Sequence, residues 1–264
     1  MRNSLAVFFL LTLTACSLFS PLPEGNTPSK QLSAEDSYNE AKSELNQGDY
    51  EAAIKHYESL QSRYPYGRYA QQALLETAYA HYKQGEAESA ISAANRFIKQ
   101  YPKNAHVDYA YYVKGLAHFN GESGFFSNLA GQDPTERDPK AVRDSFAAFN
   151  DLLIRFPDSK YAPDSRIRMQ YLTNSLAKYE LHVANYYLRR GAYIAAVNRA
   201  QGILTQFPNS PSTRNALEVM VKSYDELGMT DLRDDTKRVL AANNTPGENL
   251  AGNQTEKAWW QFWR

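Results

Sequence analysis

Cysteine is nearly absent from this sequence, since Cys16 is the only one among 264 residues. A single thiol cannot form an internal disulfide, and it cannot supply the cysteine clusters that hold structural zinc. Net charge is absent as well, because 29 lysines and arginines balance 29 aspartates and glutamates. Without a positive excess there is no large field to attract a phosphate backbone, and we therefore expect no nucleic-acid binding.

Long apolar runs are absent after the N-terminus, and no later stretch reaches the roughly 18 to 20 apolar residues of a membrane-spanning helix. The N-terminus itself has the layout of a secretory signal, with Arg2 before an apolar run from Leu5 to Leu13. The run leads into Leu13-Thr14-Ala15-Cys16, which resembles the lipobox at which bacterial lipoproteins are cut and acylated. Cys16 is therefore predicted to be the lipidated N-terminus of the mature protein. A plain signal peptide, or a short core helix that contains a cysteine, is the alternative.

Catalytic motifs are absent too. The sequence has no glycine-rich phosphate loop, no nucleophile elbow and no His-Glu-x-x-His motif. The five histidines show no spacing typical of metal ligands. We therefore expect no enzymatic activity, no metal and no cofactor.

The composition predicts four segments along the chain. Residues 1–15 are the signal peptide, and residues 16–31 are the acylated cysteine with a flexible tether that contains three prolines. Residues 32–242 form the folded body. Residues 243–264 form a polar, flexible tail with an aromatic segment that contains Trp259, Trp260 and Trp263. Ser17, which follows the cysteine, predicts export to the periplasmic face of the outer membrane.

The folded body carries an internal repeat. Apolar residues recur at helical spacing and no alternating strand pattern is found, so the fold class is predicted to be all-α. One spacing of twelve residues occurs three times, in Ala41/Ala53/Pro65, Ala78/Ala90/Pro102 and Ala184/Ala196/Pro208. Small alanines let two antiparallel helices approach closely, and the proline ends the second helix. A glycine between the two helices, at position 48, 85 or 191, supplies the left-handed turn.

These units are helical hairpins of the tetratricopeptide type. A further copy ends at Phe156-Pro157, and its two helices are separated by an insertion at residues 120–139 that contains Phe125 and Phe126. A last, degenerate hairpin is predicted at Pro211 to Leu227 and Asp231 to Ala242. The body is therefore predicted to be a tetratricopeptide-repeat solenoid of about five hairpins, in which the insertion is a loop.

The first helices of such hairpins line a concave face that can bind an extended peptide. Tyrosine suits this role because it offers apolar area and a hydroxyl at low entropic cost. The residues predicted to face the groove are Tyr38, Lys42, Leu45 and Asn46 of the first hairpin and Leu75, Tyr79, Tyr82 and Lys83 of the second. An equally weighted interpretation is that half of these side chains pack between hairpins.

Several segments of this body resemble the BamD/ComL family of lipoproteins. They are Arg63-Tyr64-Pro65-Tyr66-Gly67, Tyr69 to Gln72, Asp108-Tyr109 through Leu116, Gly124-Phe125-Phe126, Arg137-Asp138-Pro139, Leu176 to Glu180, and Arg190 to Tyr193 running into Val197-Asn198-Arg199. The resemblance covers about residues 30 to 242, and it is far more specific than a general tetratricopeptide match.

The resemblance implies a non-enzymatic subunit of the β-barrel assembly (BAM) complex of the outer membrane. It places Tyr64, Tyr66 and the groove tyrosines in the binding of unfolded barrel precursors. It implies that the C-terminal hairpins dock the POTRA region of the insertase, which BamA provides, and that other BAM lipoproteins are partners. Arg199, with the neighbouring Asn198, is the predicted docking contact, and the alternative for Arg199 is a solvent-facing helix residue.

The aromatic tail is not part of the resemblance. Its tryptophans are predicted to lie in the membrane interface or to cover an aromatic groove on a partner, and a third possibility is occupancy of the protein's own groove. The rival function for the whole chain is a periplasmic scaffold for peptidoglycan synthesis or DNA uptake, as the competence branch of the family suggests. A wall-degrading enzyme is the third, and the chain leaves no room for its catalytic domain.

Overall fold

The computed structural model describes residues 32–122 and 139–243, and all regular structure within these ranges is helical. The helices are α1 Ala34–Gln47, α2 Tyr50–Arg63, α3 Arg68–Gln84, α4 Ala87–Gln100, α5 Val107–Glu122, α6 Lys140–Arg155, α7 Ala162–Arg189, α8 Tyr193–Gln206, α9 Ser212–Glu226 and α10 Thr230–Ala242. Each helix packs against the next one in the chain, so the ten helices form five successive hairpins. The predicted all-α solenoid of five tetratricopeptide-type hairpins is confirmed.

The repeat positions have the packing role that their spacing predicts. The six alanines of the repeat, at positions 41, 53, 78, 90, 184 and 196, are completely buried where the two helices of a hairpin meet. Gly48, Gly85 and Gly191 join the paired helices with φ angles of 85°, 81° and 72°. The left-handed region is costly for a residue with a Cβ atom, which explains glycine at these turns.

The core is a series of four clusters along the solenoid, and each cluster joins neighbouring hairpins. The largest fully buried side chains are Tyr57, Phe97 and Phe149. Tyr57 packs between the first two hairpins, Phe97 between the second and third, and Phe149 between the third and fourth. The hairpins are therefore held by apolar contacts between neighbours, as expected for a repeat array.

The third hairpin differs in detail from its prediction. Helix α5 continues to Glu122, so the first three residues of the predicted 120–139 insertion are helical. Residues 123–138, with Phe125 and Phe126, lie outside the described part of the chain. The second helix of this hairpin, α6, begins at Lys140, directly after Pro139. The last hairpin agrees with its predicted bounds to within one residue at each end.

Within residues 32–122 and 139–243, no helix combines the length and the apolar character needed to cross a bilayer. The signal sequence, Cys16, the tether and the tail with Trp259, Trp260 and Trp263 lie outside the described residues.

Candidate binding groove and docking surface

A row of tyrosine rings lies along the first helices of the first three hairpins and reaches the residue before α7. We define this tyrosine row as Tyr38, Tyr69, Tyr79, Tyr109 and Tyr161. Tyr38 of α1 lies 5.6 Å from Tyr69 of α3, measured between ring centroids. Further along, Tyr79 of α3 lies 6.4 Å from Tyr109 of α5, and Tyr109 lies 5.2 Å from Tyr161, which precedes α7. Such contacts between aromatic rings add to the stability of the hairpin interfaces and also leave an aromatic surface.

Glu76 of α3 is the charged centre of this surface. Its Oε1 atom lies 2.6 Å from Nζ of Lys42 on α1, and the two side chains are 21% and 36% exposed. Burial raises the pKa of Tyr38 to about 12, and the negative charge of Glu76 adds to the increase. Glu76 acts in the same direction, after burial, on the pKa of Tyr57 and on that of Tyr109. One carboxylate therefore lies among several tyrosine hydroxyl groups and one lysine.

The hydroxyl of Tyr57 is part of the same region. Its ring centroid lies 5.9 Å from that of Tyr38. The hydroxyl oxygen is buried and has no hydrogen-bond partner among the described residues. A buried polar atom without a partner is costly, and such atoms are rare in folded proteins. The Tyr57 hydroxyl is therefore a hydrogen-bond donor near Glu76 for which the described residues provide no acceptor.

The structure brings together three of the predicted groove residues, namely Tyr38, Lys42 and Tyr79. Lys83 is exposed one turn after Tyr79, and its charge opposes the effect of burial on the pKa of that tyrosine. Tyr82 is half-buried and packs against the core of the second, third and fourth hairpins. Tyr38 and Tyr79 also pack against the core of the first two hairpins, and Leu45 and Leu75 are buried. These side chains therefore have the contacts that the packing interpretation describes.

Tyr64 and Tyr66 flank the proline that ends the first hairpin, and their environments differ. The Tyr64 hydroxyl donates a hydrogen bond to the carbonyl oxygen of Leu32 at 2.7 Å, which ties down the start of the described chain. The side chain of Tyr66 is 90% exposed. Tyr66 is therefore available for contact with another molecule, whereas Tyr64 already has a structural partner.

Arg199 lies in the fourth of the five hairpins, on α8. Its Nη1 atom lies 3.0 Å from Oε2 of Glu180 on α7, and Nη2 of Arg143 on α6 lies 3.9 Å from the second oxygen of the same carboxylate. We call Arg143, Glu180 and Arg199 the Arg-Glu-Arg triad. Glu180 is largely buried at 17% exposure, while Arg199 is 46% exposed. Two guanidinium groups share one carboxylate, which leaves one positive charge in excess beside the exposed Asn198.

A buried ion pair between the third and fourth hairpins was not predicted from the sequence. Oδ2 of Asp164 accepts hydrogen bonds from Nε of Arg168 and from the hydroxyl of Tyr112, both at 2.6 Å. The guanidinium of Arg168 also lies over the ring of Phe119, 5.1 Å from its centroid. These contacts fix the start of α7 on α5. The spacing of Asp164 and Arg168 by four residues is common on exposed helix faces, so the sequence contained no signal of burial.

Among residues 32–122 and 139–243, no group of three histidine, cysteine, aspartate or glutamate side chains is placed to hold a metal ion. A cleft of about 400 Å³ lies where the loops between hairpins meet, and Asn104, Asp108, Arg155 and Phe156 are among the residues that line it. Asp108 accepts a hydrogen bond from the Ser159 hydroxyl at 2.6 Å, which joins the first turn of α5 to the loop before α7.

Comparison with known proteins identifies the family. The model of the family described as outer membrane lipoprotein YfiO matches residues 30–239. The outer membrane protein assembly factor BamD of Neisseria meningitidis serogroup A is 41% identical over 261 residues, which cover 98% of this chain and 98% of that protein. The factor of the same name from Vibrio cholerae is 38% identical over 234 residues, which cover 89% of this chain and 95% of that protein.

Among solved structures, the TPR2AB domain of yeast Sti1 in its complex with pHSP90 aligns with a TM-score of 0.43 at 14% identity, covering 80% of this chain and 77% of that one. The sequence matches to family and relatives extend over nearly the whole solenoid, including both the tyrosine row and the Arg-Glu-Arg triad. The chain belongs to the YfiO family of outer membrane lipoproteins, the family of the assembly factors named BamD.

Proposed function

We propose that this protein is a non-enzymatic lipoprotein subunit of the BAM complex, the machinery that assembles β-barrel proteins in the outer membrane. The names of its relatives support this assignment, since they are outer membrane protein assembly factors. The observation that carries the mechanism is the presence of two unlike surfaces on one solenoid. The aromatic row begins on the first two hairpins, at Tyr38, Tyr69 and Tyr79, and the cationic triad lies on helices of the third and fourth.

The tyrosine row is proposed to bind unfolded barrel precursors. A strand of a β-barrel alternates apolar and polar side chains, and an unfolded strand offers both to a partner. Tyrosine rings contact the apolar side chains, and their hydroxyl groups pair with the polar ones. Tyr38, Tyr79 and the exposed Tyr66 are the residues we expect to contact a precursor, with Lys42 inside the groove and Lys83 at its edge.

The Arg-Glu-Arg triad is proposed to dock the POTRA region of a BamA-like insertase. An arginine can pair with a partner carboxylate through two parallel hydrogen bonds. Arg199 keeps donors available because only Nη1 is engaged by Glu180 at hydrogen-bond distance. Asn198 lies beside it and is exposed. Other BAM lipoproteins are expected in the same complex.

The anchor and the tail complete the proposal, although both lie outside the described residues. Acylation of Cys16 would hold the protein at the periplasmic face of the outer membrane. The segment Trp259 to Trp263 is proposed to lie in the membrane interface or on a partner's groove. Deletion of Ala258 to Arg264 distinguishes these alternatives from each other and from occupancy of the protein's own groove. If the deletion changes neither membrane association nor precursor affinity, only the contact with a partner remains.

The proposal is tested by affinity purification of the detergent-extracted lipoprotein, with wild type and Arg199→Ala compared by mass spectrometry. We expect a POTRA-containing barrel protein to co-purify with wild type and to be depleted by the substitution. Equal recovery in both samples would leave the function standing and would remove Arg199 from the docking contact. Recovery of peptidoglycan-synthesis enzymes without the barrel protein would favour the periplasmic scaffold instead.

A further inference from the structure

The ion pair between Lys42 and Glu76 occupies an unusual place, since it lies at the centre of the aromatic groove. By contrast, the pair of Lys55 and Glu51 on α2 lies on the surface, with side chains 71% and 72% exposed. Glu76 is instead 21% exposed. Its negative charge raises the pKa of tyrosines in the first three hairpins, among them Tyr38, Tyr79 and Tyr109. A carboxylate in this position has to be balanced by a cation.

The cation that balances it in the free protein is easily replaced. Lys42 is 36% exposed and reaches Glu76 from the neighbouring helix through a long, flexible side chain. A lysine stem loses rotamer freedom when it is held in one geometry, so this contact is only weakly favourable. Displacement of Lys42 into solvent therefore costs little, provided that another cation takes its place.

The surroundings of Glu76 suit a cationic side chain from outside. Tyrosine faces attract ammonium and guanidinium groups, and the row supplies such faces at Tyr38 and Tyr79. Both rings are partly exposed, so a side chain from another molecule can reach them.

We propose that Glu76, together with Tyr38 and Tyr79, forms a subsite for a lysine or arginine side chain of a bound precursor segment, and that Lys42 fills this subsite in the free protein. The inference rests on the proposed function, because it takes the groove to be the precursor site. Glu76 is then a specificity-determining residue, which selects segments with a basic residue between apolar ones. Lys42 acts as an internal competitor.

The test uses the full-length lipoprotein in detergent and synthetic ten-residue peptides that alternate aromatic and small polar residues. The peptides differ only at one central polar position, which is lysine, norleucine or glutamate. Dissociation constants are measured by fluorescence anisotropy for wild type, Lys42→Met and Glu76→Gln. Lys55→Met is the matched control, because it also breaks a lysine-glutamate pair of the first hairpin, outside the groove.

We expect wild type to bind the lysine peptide more tightly than the norleucine peptide and the glutamate peptide least tightly. In Lys42→Met the preference for lysine should be larger, with a dissociation constant for the lysine peptide roughly five- to thirtyfold lower than that for the norleucine peptide. This is the range expected for an ion pair with a cation-π contribution. Glu76→Gln should reduce the preference to about onefold, and Lys55→Met should leave it as in wild type. If Glu76→Gln fails to fold, the double variant Lys42→Met/Glu76→Met replaces the pair with apolar groups and should also lack the preference.

Two results would overturn the inference in different ways. Equal affinity of wild type for the three peptides, or a lysine preference that persists without Glu76, would remove the subsite and leave the proposed precursor groove intact. Failure of wild type to bind any of the peptides would remove the groove along with the subsite.

Discussion

The guanidinium of Arg199 lies 3.0 Å from the carboxylate of Glu180, which is itself largely buried against the neighbouring helix. The contact joins α8 to α7, and Arg143 adds a longer contact from α6. The hydrogen bond with Glu180 raises the pKa of the Arg199 guanidinium, which is charged in any case. Glu180 therefore orients the guanidinium group of Arg199 and does not change its charge.

Glu180→Gln should weaken docking of the insertase, because Arg199 loses the partner that orients it. We expect about a three- to tenfold loss of affinity for a purified POTRA fragment, within the range of a partly exposed ion pair. Arg199→Ala should cost more, about 2 to 5 kcal/mol, if the guanidinium is desolvated in the complex. Arg96→Ala, in the second hairpin, is the control and should have no effect. Tighter binding of the Glu180 variant would show that Glu180 competes with the partner's carboxylate.

Gly115→Ala should destabilise the third hairpin. A Cβ atom at this position would lie 2.5 to 2.9 Å from ring atoms of Phe149, which is fully buried and cannot move aside freely. Overpacking of this kind costs about 1 to 3 kcal/mol. Gly202 is the matched control, since it is also helical and a Cβ atom there meets nothing within 4 Å. Gly202→Ala should stabilise by about 0.5 to 1 kcal/mol, and chemical unfolding of both variants measures the difference.

Alkaline pH should destabilise the fold through its buried tyrosines. Burial and the charge of Glu76 raise the pKa of Tyr38 from 10.0 to about 12, and burial also raises the pKa of Tyr57, Tyr109 and Tyr112. Between these values the folded state holds protons that the unfolded chain has released, so stability that is complete below pH 10 is lost as the pH rises towards 12. Urea unfolding at stepped pH, with tyrosinate absorbance, measures this loss.

Tyr38→Phe should make that decline shallower, because the substituted ring has no proton to lose. Titration of every tyrosine near pH 10 in a chain that keeps its helical circular dichroism would contradict the account.

The mature protein should begin at an acylated Cys16. Intact mass spectrometry of the membrane-extracted protein should give the mass of residues 16–264 plus acyl chains, and Cys16→Ala should abolish both the added mass and recovery in the membrane fraction. A mature N-terminus without acyl groups, at any other residue, would favour the plain signal peptide.

Contacts within one hairpin could be predicted from the sequence, whereas contacts between hairpins could not. The alanines and prolines twelve residues apart report the packing of two adjacent helices, and the bounds of the last hairpin followed from the same local pattern. Lys42 and Glu76 are 34 residues apart, whereas the first two repeats are offset by 37 residues, as from Ala41 to Ala78. The two residues do not hold equivalent positions, so the repeat pattern contained no signal of this contact.

Other features had no such signal. Glu180 resembles any charged residue of an amphipathic helix, and only the packing of α6, α7 and α8 brings two arginines to it. The 28 residues of α7, twice the length of its partner α8, were also not predicted, because the repeat pattern covers only the C-terminal part of that helix.

The central claim is that one solenoid holds a precursor at its first hairpins and the insertase at its later ones. Site-specific photo-crosslinking in living cells tests it directly, with a photoreactive residue placed at Tyr66 or at Asn198, both exposed. The account predicts adducts with unfolded barrel proteins from position 66 and an adduct with the POTRA-containing insertase from position 198. Adducts with peptidoglycan-synthesis enzymes from both positions, or the two partners in exchanged places, would contradict it.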